Sequence, residues 1–409
     1  MSAAPGLLAV LAWRNLWRRP GRTGAILFAL ALGVWSMVSL AGLTRGMLEQ
    51  QLERAIANLT GHAQIHAPGY RDDPVVEHRM APPDARLRAV LEGPGVTAWA
   101  ARVRVPAVVA SERDSAAVTL VGIDPASERG LSFIADAVRA GRNLESPADI
   151  GLLIGRELAE RLETRLGWRV VLMSEGADNE LAERGFPIVG IFEAEPEAME
   201  TGYVFTGRAV AQQMLRMGEA VSEIALLAPE RGQVDALLPR LRAAAPGLDV
   251  RSWTEVEPLL VLTEEVSGVI LVIWYVVVFT AMSFGLINTL LMAVFERTRE
   301  FGLFQALGMR PRQIVGQVLA EALILIGIGL VLGNIAAALT LEWLERGLDL
   351  SAFAEGFELA GYSPVLYPSV DAGDVLAANL LVFVLGLAAS LYPAWRAARH
   401  VPVRALAQT

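Results

Sequence analysis

Four long apolar runs govern what this chain can become. Thr23 to Leu43, Val266 to Phe295, Ile314 to Leu341 and Val375 to Trp395 are each long enough to cross a bilayer; a crossing takes about 20 predominantly apolar residues at 1.5 Å per residue. With 409 residues, 54% hydrophobic composition and a mean hydropathy of +0.43, the chain is too apolar for an ordinary soluble protein. Between the first two runs, Arg45 to about Glu265 has the composition of a folded, hydrated domain.

Charge orients the runs. Residues 1–23, the loop 296–312 and the tail after Trp395 together carry eleven arginines and two acids, whereas 342–374 carries Arg346 against seven acids. Short basic loops stay on the cytoplasmic side, so both termini read as inside and the large domain as outside. The net charge of -9 is thus divided by region, and no nucleic-acid partner is expected. Cysteine is absent, which excludes disulfides and thiolate metal sites. Lysine is absent too, and a phosphate-binding P-loop needs one. The sequence therefore carries no Walker-type ATPase and reads as a non-enzyme.

The expected fold is an α-helical membrane protein with four transmembrane helices plus a large α+β extracytoplasmic domain inserted between the first and second span. In order, this gives a cytoplasmic amphipathic helix (1–22), span one (23–44), the outer domain with stalk ends (45–265), span two (266–295), a cytoplasmic loop (296–312), span three (313–341), an outer loop (342–374), span four (375–395) and a cytoplasmic tail (396–409). The first helix, LAWRNLWRRPGR, is expected to break at Pro20 and Gly21. No A-x-A site closes the first run, which argues against a signal peptide. Strands are predicted at 62–66, 103–110, 117–123, 168–173 and 187–192, and helices at 157–166, 207–217 and 234–244.

The stretch ERTREFGLFQALGMRPR, Glu296 to Arg312, sets four arginines against two acids. Phe301, Leu303, Phe304 and Leu307 recur there at helical spacing, predicting a short amphipathic helix with an exposed apolar stripe that invites a docking partner. In the third span, Gln313, Gln317 and Glu321 form a polar stripe. A carboxylate at the bilayer centre costs roughly 2.5–3.5 kcal/mol; Glu321 is near enough to the end to reach the interface or Arg312. Asn288 and Asn334 read as interhelical hydrogen-bonding groups, and Gly329/Gly333 and Gly386/Ser390 as packing pairs. His62 and His66 share a strand face without further ligands and read as structural. Phe353, Phe357, Tyr362 and Tyr367 in the acidic loop suit the outer interface.

Several of these stretches resemble the FtsX-like permeases of ABC transporters, the group that includes MacB-type and lipoprotein-releasing (Lol-type) permeases. WRNLWRRPGRTGAILFALALGV is similar to the family's entry into its first span. Glu296, Arg297, Arg299, Glu300, Ala306, Leu307 and Gly308 resemble its "E-R-x-x-E…A-L-G" loop, and YPAWRAARHVPVRAL its closing segment. GHAQIHAPGY, GIDPASE, GLLIGRELAERL and FPIVGIF look more like the lipoprotein-releasing permeases, although Gly167-Trp168 stands where Gly-Asp is expected.

The resemblance implies a dimer with a second copy or paralogue in the bacterial inner membrane, driven by separate cytoplasmic ABC ATPase subunits. No cofactor is expected on this chain; ATP and Mg belong to the ATPase. Its docking residues would be Glu296, Arg297, Arg299, Glu300, Phe304, Ala306, Leu307, Gly308, Met309 and Arg310. The cargo would be a lipoprotein or another lipidated substrate drawn from membrane lipid and passed to a periplasmic chaperone or adaptor. A predicted hairpin over 168–192, with Ser174, Glu175, Asp178, Glu180 and Glu183 about its loop, is the candidate contact for that partner. The alternatives are a MacB-type efflux permease and an FtsX-like mechanotransmitting signal transducer.

Overall fold

A computed structural model describes residues 5–195, 197–306, 308–349 and 365–398. Two compact units emerge among the described residues, one from those up to Glu49 and from Thr263 onward, the other Gln50–Leu262. The helices are α1 (Pro5–Leu16), α2 (Pro20–Ala55), α3 (Ala85–Leu91), α4 (Pro125–Glu128), α5 (Arg156–Arg161), α6 (Glu197–Gly202), α7 (Arg208–Met214), α8 (Val234–Ala244), α9 (Trp253–Val256), α10 (Pro258–Glu296), α11 (Thr298–Ala306), α12 (Pro311–Leu344) and α13 (Ala372–Ala398). Stretches containing α2, α10, α12 and α13 are long and apolar enough to cross a membrane.

In the first unit, the break after α1 falls at Trp17–Arg19 rather than at Pro20 and Gly21. Pro20 starts α2, where its missing N–H costs nothing because the first helical N–H groups have no partner anyway. Small residues let the spans approach. A Cβ on Gly329 would lie 2.6 Å from Leu30 Cβ, and one on Gly333 2.5 Å from Val34 Cβ, so the Gly329/Gly333 pair seats α12 on α2. Leu30, Val34, Met37, Leu286, Leu325 and Val382 fill the shared core. Asn334 and Asn379 bond reciprocally between α12 and α13, at 2.7 and 3.1 Å. Asn288, by contrast, is exposed and has no hydrogen bond among the described residues.

The second unit is built on ten strands: β1 (Ala63–His66), β2 (Ala98–Ala110), β3 (Ser115–Ile123), β4 (Val138–Gly141), β5 (Leu152–Gly155), β6 (Arg169–Glu175), β7 (Leu181–Phe192), β8 (Tyr203–Gly207), β9 (Glu223–Leu227) and β10 (Asp249–Ser252). Along the sheet the order is β10-β1-β9-β2-β3-β8-β5-β7-β4, and β6 bridges β2 and β7. The pairings β2-β3-β8-β5-β7-β6-β2 therefore close a ring, which removes the open edges of those strands. Alternation in β2 turns Val103, Val105, Ala107 and Val109 inward, where they meet Leu120, Leu172, Phe186 and Ile188. On the other side, β10, β1, β9 and the first part of β2 form a layer whose apolar face packs on Leu87 and Leu91 of α3 and Leu237 and Leu241 of α8.

The long strand β2 changes partners midway. Ala98–Arg102 pairs with β9 and Val103–Ala110 with β3, so Arg102 stands at the switch. A second pair of strands, β11 (Leu348–Asp349) and β12 (Val365–Leu366), lies in the first unit. Phe353, Phe357 and Tyr362 fall outside the described residues.

Candidate coupling site

The stretch 296–312 builds its site by folding one short helix between two long ones. After α10 ends, α11 begins at Thr298, whose hydroxyl donates to Val294 O and Phe295 O. The turn after α11 passes through Gly308 at φ +94, with its N–H bonded to Gln305 O. A Cβ on Gly308 would meet nothing within 4 Å, so backbone conformation rather than space favours glycine. Next comes α12, with Pro311 in its first turn and the Gln313 side chain accepting from Arg310 N at 2.8 Å.

The loop charges are largely engaged within the unit. Arg297 Nη1 donates to Glu321 Oε1 at 2.7 Å, and Arg297 Nε to Glu300 Oε2 at 3.2 Å. Asn15 of α1 donates to the same Glu321 oxygen at 3.0 Å, and Arg18 to Glu300 at 3.0 Å. Arg22 reaches Glu296 at 2.8 Å, and Arg19 also bonds that carboxylate. Burial by itself would raise the Glu300 carboxyl; hydrogen bonds from Arg297 and Arg18 outweigh it and hold the group below its usual range. The network ties α1, the start of α2, α11 and α12 into one patch.

Two expectations change here. Glu321 is buried against Arg297 and Asn15, whereas Arg312 is exposed, so the carboxylate's partner is not the arginine nearest in sequence. The apolar stripe is also not wholly outward. Phe301 is buried among Val294, Ile314, Val318, Ala394 and Ala397, because the bundle offers a dry pocket and Arg297 covers its ring at 4.9 Å. Leu303 is exposed; the side chain of Phe304 and all of Leu307 lie outside the described residues. Arg299, Arg310 and Arg312 are exposed with no ion pair among the described residues, and Met309 is half-buried against the cluster around Phe301.

The β6–β7 hairpin has a tighter loop than 174–184, since the pairing runs to Glu175 opposite Leu181. Ser174 is buried and its hydroxyl donates to Pro106 O at 2.7 Å. Asp178 is bound by Arg216 at 2.6 Å, which holds its carboxyl below the usual range, while Glu175, Glu180 and Glu183 are exposed. At the expected Gly-Asp position, Gly167 turns at φ +83 and Arg165 stacks over the Trp168 ring at 4.4 Å.

The buried centre of the second unit was not legible in the sequence. Arg102, with no exposed surface, grips Glu128 through two bonds of 2.7 and 2.8 Å, Glu223 at 3.0 Å and Leu59 O at 2.6 Å. Leu59 itself sits at φ 104, an outlier for a large side chain that this bond to its carbonyl helps hold. Burial works against the charge on Glu223, but Arg104, His66 and Arg102 overcome it and keep its carboxyl far below the ordinary range. His62 Nδ1 accepts from Ala228 N at 3.0 Å, and His66 Nε2 lies 3.8 Å from Glu223.

Four apolar helices, an arginine-rich interhelical turn and a strand-rich domain of over 200 residues define a multi-span membrane protein with a large extramembrane module. Residues 23–244 match the MacB-like periplasmic core domain, and residues 272–402 match the FtsX-like permease C-terminal region. The chain belongs to this family of ABC transporter permeases. It is 24% identical over 396 residues to the lipoprotein-releasing system transmembrane protein LolC of Xylella fastidiosa strain 9a5c, covering 93% of this chain and 92% of the relative. It is 35% identical over 124 residues to the macrolide export ATP-binding/permease protein MacB of Nitrobacter winogradskyi, covering 30% of this chain and 17% of that protein. The periplasmic region of MacB from Actinobacillus actinomycetemcomitans aligns at a TM-score of 0.36 with 10% identity, over 52% of this chain and 97% of that one.

Proposed function

We propose that the chain is the permease subunit of an ABC transporter that extracts lipoproteins, or another lipidated substrate, from the inner membrane. The observation that carries this is the near full-length match to a protein named for lipoprotein release, across 93% of this chain and 92% of the relative. In this reading the core domain is periplasmic, inserted between the first and second spans, and both termini are cytoplasmic. ATP and Mg are bound by a separate cytoplasmic ATPase, in keeping with a sequence that has no lysine for a P-loop.

That ATPase docks on Glu296 to Arg310, where exposed Leu303 and the outward cations Arg299 and Arg310 offer an apolar contact within a positive field suited to an acidic surface. A second copy or paralogue completes the permease. The α2 helix is 36 residues and α10 is 39 residues, about 54 and 58 Å at 1.5 Å per residue and so longer than the roughly 30 Å apolar core of a bilayer. Such helices suit transmission of motion rather than a channel. The exposed carboxylates Glu175, Glu180 and Glu183 of the hairpin are the contact for a periplasmic chaperone.

A second reading, efflux with a periplasmic adaptor, draws on the higher local identity to MacB, but that match spans 17% of the relative. The deciding experiment reconstitutes the chain with its ATPase in proteoliposomes holding a fluorescent triacylated lipoprotein and adds a soluble lipoprotein chaperone. ATP-dependent transfer of the lipoprotein to the chaperone supports release. Retention of the lipoprotein under conditions of active ATP hydrolysis refutes it.

A further inference from the structure

The first helix, α1, sets one side against the bundle and leaves the other open. Ala12 and Leu16 are buried, Leu16 in the core shared by the spans, and Asn15 donates to Glu321. Val10, Trp13, Arg14, Trp17 and Arg18 are all exposed. They stand at i, i+3, i+4, i+7 and i+8, the recurrence of one helix face. Trp17 and Arg18 lie in the turn just past α1, and Arg18 N still bonds Asn15 O at 3.2 Å, so the winding continues into them.

Two properties of this face are independent of each other. One is apolar: Trp13 and Trp17 are 48% and 50% exposed, with their rings edge-to-face at 5.9 Å. A tryptophan, apolar with a single N–H, suits the boundary between hydrocarbon and water. The other is charge. No acid occurs in the sequence before Glu49. Arg14 is exposed with no ion pair among the described residues. Arg18 meets Glu300 and Arg19 meets Glu296, yet their side chains remain 62% and 63% exposed. Arg22 shares Glu296, so four arginines stand against two carboxylates and a positive surplus remains.

Position decides which acidic partner fits. Only Trp17–Arg19 separates α1 from α2, a helix long and apolar enough to cross a bilayer. Three residues reach about 10 Å at most, so Trp17 is held close to the level where that helix begins. A soluble acidic protein would match the arginines but would give the paired tryptophans no hydrocarbon boundary to enter.

We propose that this face of α1 is a docking surface for an anionic phospholipid bilayer, with Trp13 and Trp17 at the boundary of the acyl chains and Arg14 and Arg18 on the headgroup phosphates. Each guanidinium offers a planar fork of N–H donors to phosphate oxygens. Each basic residue brought to an anionic surface is worth roughly a fivefold gain in partitioning. Acidic phospholipid is thus a ligand of this chain as well as its solvent, and Asn15 ties the docked helix to the Arg297–Glu321 pair.

The chain has no cysteine, so Val10→Cys gives a unique attachment point for an NBD fluorophore in the full-length protein. The labelled protein, in detergent micelles and without any ATPase, is titrated with doxyl-labelled phosphatidylglycerol or with phosphatidylcholine carrying the same acyl chains; the doxyl group quenches NBD on contact. Half-quenching by phosphatidylglycerol is expected at a mole fraction about fivefold lower than by phosphatidylcholine, or less. Raising the salt from about 0.1 to about 1 M closes most of that gap by screening. Arg14→Gln shrinks the gap to about half, and Arg14→Gln with Arg18→Gln brings the two lipids within about twofold. Trp13→Ala with Trp17→Ala weakens quenching by both lipids and keeps their ratio, while Arg129→Gln, the same loss of charge at an exposed site in the other unit, changes neither. Because Arg18 also bonds Glu300, Arg14→Gln alone decides the matter if the double arginine variant is misfolded. Equal half-quenching by the two lipids, an unchanged ratio in Arg14→Gln, or the same loss in Arg129→Gln overturns the proposal and leaves the face to an acidic protein surface.

Discussion

Arg297 and Glu321 are 24 residues apart in sequence and 2.7 Å apart in space, both largely withdrawn from solvent. Arg297 directly follows α10 and Glu321 lies in α12, with α11 between them in the chain, and Asn15 of α1 bonds the same carboxylate. Removing one member of a buried pair leaves the other charge uncompensated, which costs about 3–5 kcal/mol. Glu321→Ala should therefore lower the thermal midpoint of the detergent-solubilised protein by several degrees. Glu321→Gln, which keeps a hydrogen-bond acceptor for Asn15, should lower it less. Equal midpoints for wild type and Glu321→Ala in a thermal-shift assay would show that the pair contributes nothing.

Arg299, Arg310 and Arg312 differ from Arg297 in being exposed with no ion pair among the described residues. Reversing all three to Glu should leave the thermal midpoint within about a degree, because exposed charges add little to folding. The same triple variant should lose association with the cognate ATPase by at least tenfold in a pull-down or surface binding measurement. Undiminished association would remove this loop from the docking surface.

Gly308 adopts a left-handed backbone in open space. Gly308→Ala should cost about 1 kcal/mol from the backbone alone. Gly308→Pro cannot reach φ +94 and also loses the N–H that bonds Gln305 O. It should shift the turn between α11 and α12 and uncouple ATP hydrolysis from transport while the core domain keeps its fold. Proteolysis patterns and ATPase stimulation measured on the two variants separate these effects.

Glu223 supplies the pH dependence. Its folded carboxyl lies well below the unfolded value of about 4.3. Its stabilising contribution is present above that value and is lost as pH falls through the folded one, since acid then favours the unfolded, protonated carboxyl. Glu223→Gln should lower stability at pH 7 by about 3 kcal/mol and flatten its fall in acid. Tryptophan fluorescence during denaturant unfolding at pH 7 and at about pH 2.5, inside the window between the unfolded and folded values, provides the check; parallel curves for variant and wild type would contradict the assignment.

In the membrane unit, Asn334 and Asn379 satisfy each other. Asn334→Leu takes the donor from Asn379 Oδ1 while Asn379 Nδ2 keeps its bond to Val375 O, at a cost of about 0.6–2 kcal/mol. Asn334→Leu with Asn379→Leu should recover most of that loss in SDS-titration unfolding. A double variant as unstable as the single one would mean that packing, not the amide pair, sets the cost.

Some of this was legible from the residues and some was not, for identifiable physical reasons. The spans are readable because a bilayer demands an uninterrupted apolar length. The strands β2, β3, β6 and β7 announce themselves by alternation, and each runs past one of its predicted ends, while β6 starts one residue later than expected. The strand β5 is missed because all four of its residues are buried, and β8 because four of its five are, so neither shows the period-two pattern. The centre around Arg102 is invisible in sequence because Glu128 and Glu223 reach it from distant segments with no fixed spacing. Glu321 was legible as a carboxylate within a span, expected to reach the interface or Arg312; its burial against Arg297 is a contact between two helices that no sequence spacing fixes.

The changeover in β2 has a mechanical consequence. Backbone bonds to β9 on one part of the strand and to β3 and β6 on the other are carried by a single continuous peptide chain. Sliding the helix-covered layer against the closed ring would require rupture of peptide hydrogen bonds, not merely slippage of side chains. Under load, this domain should behave as a stiff beam, with compliance confined to the turns outside that strand.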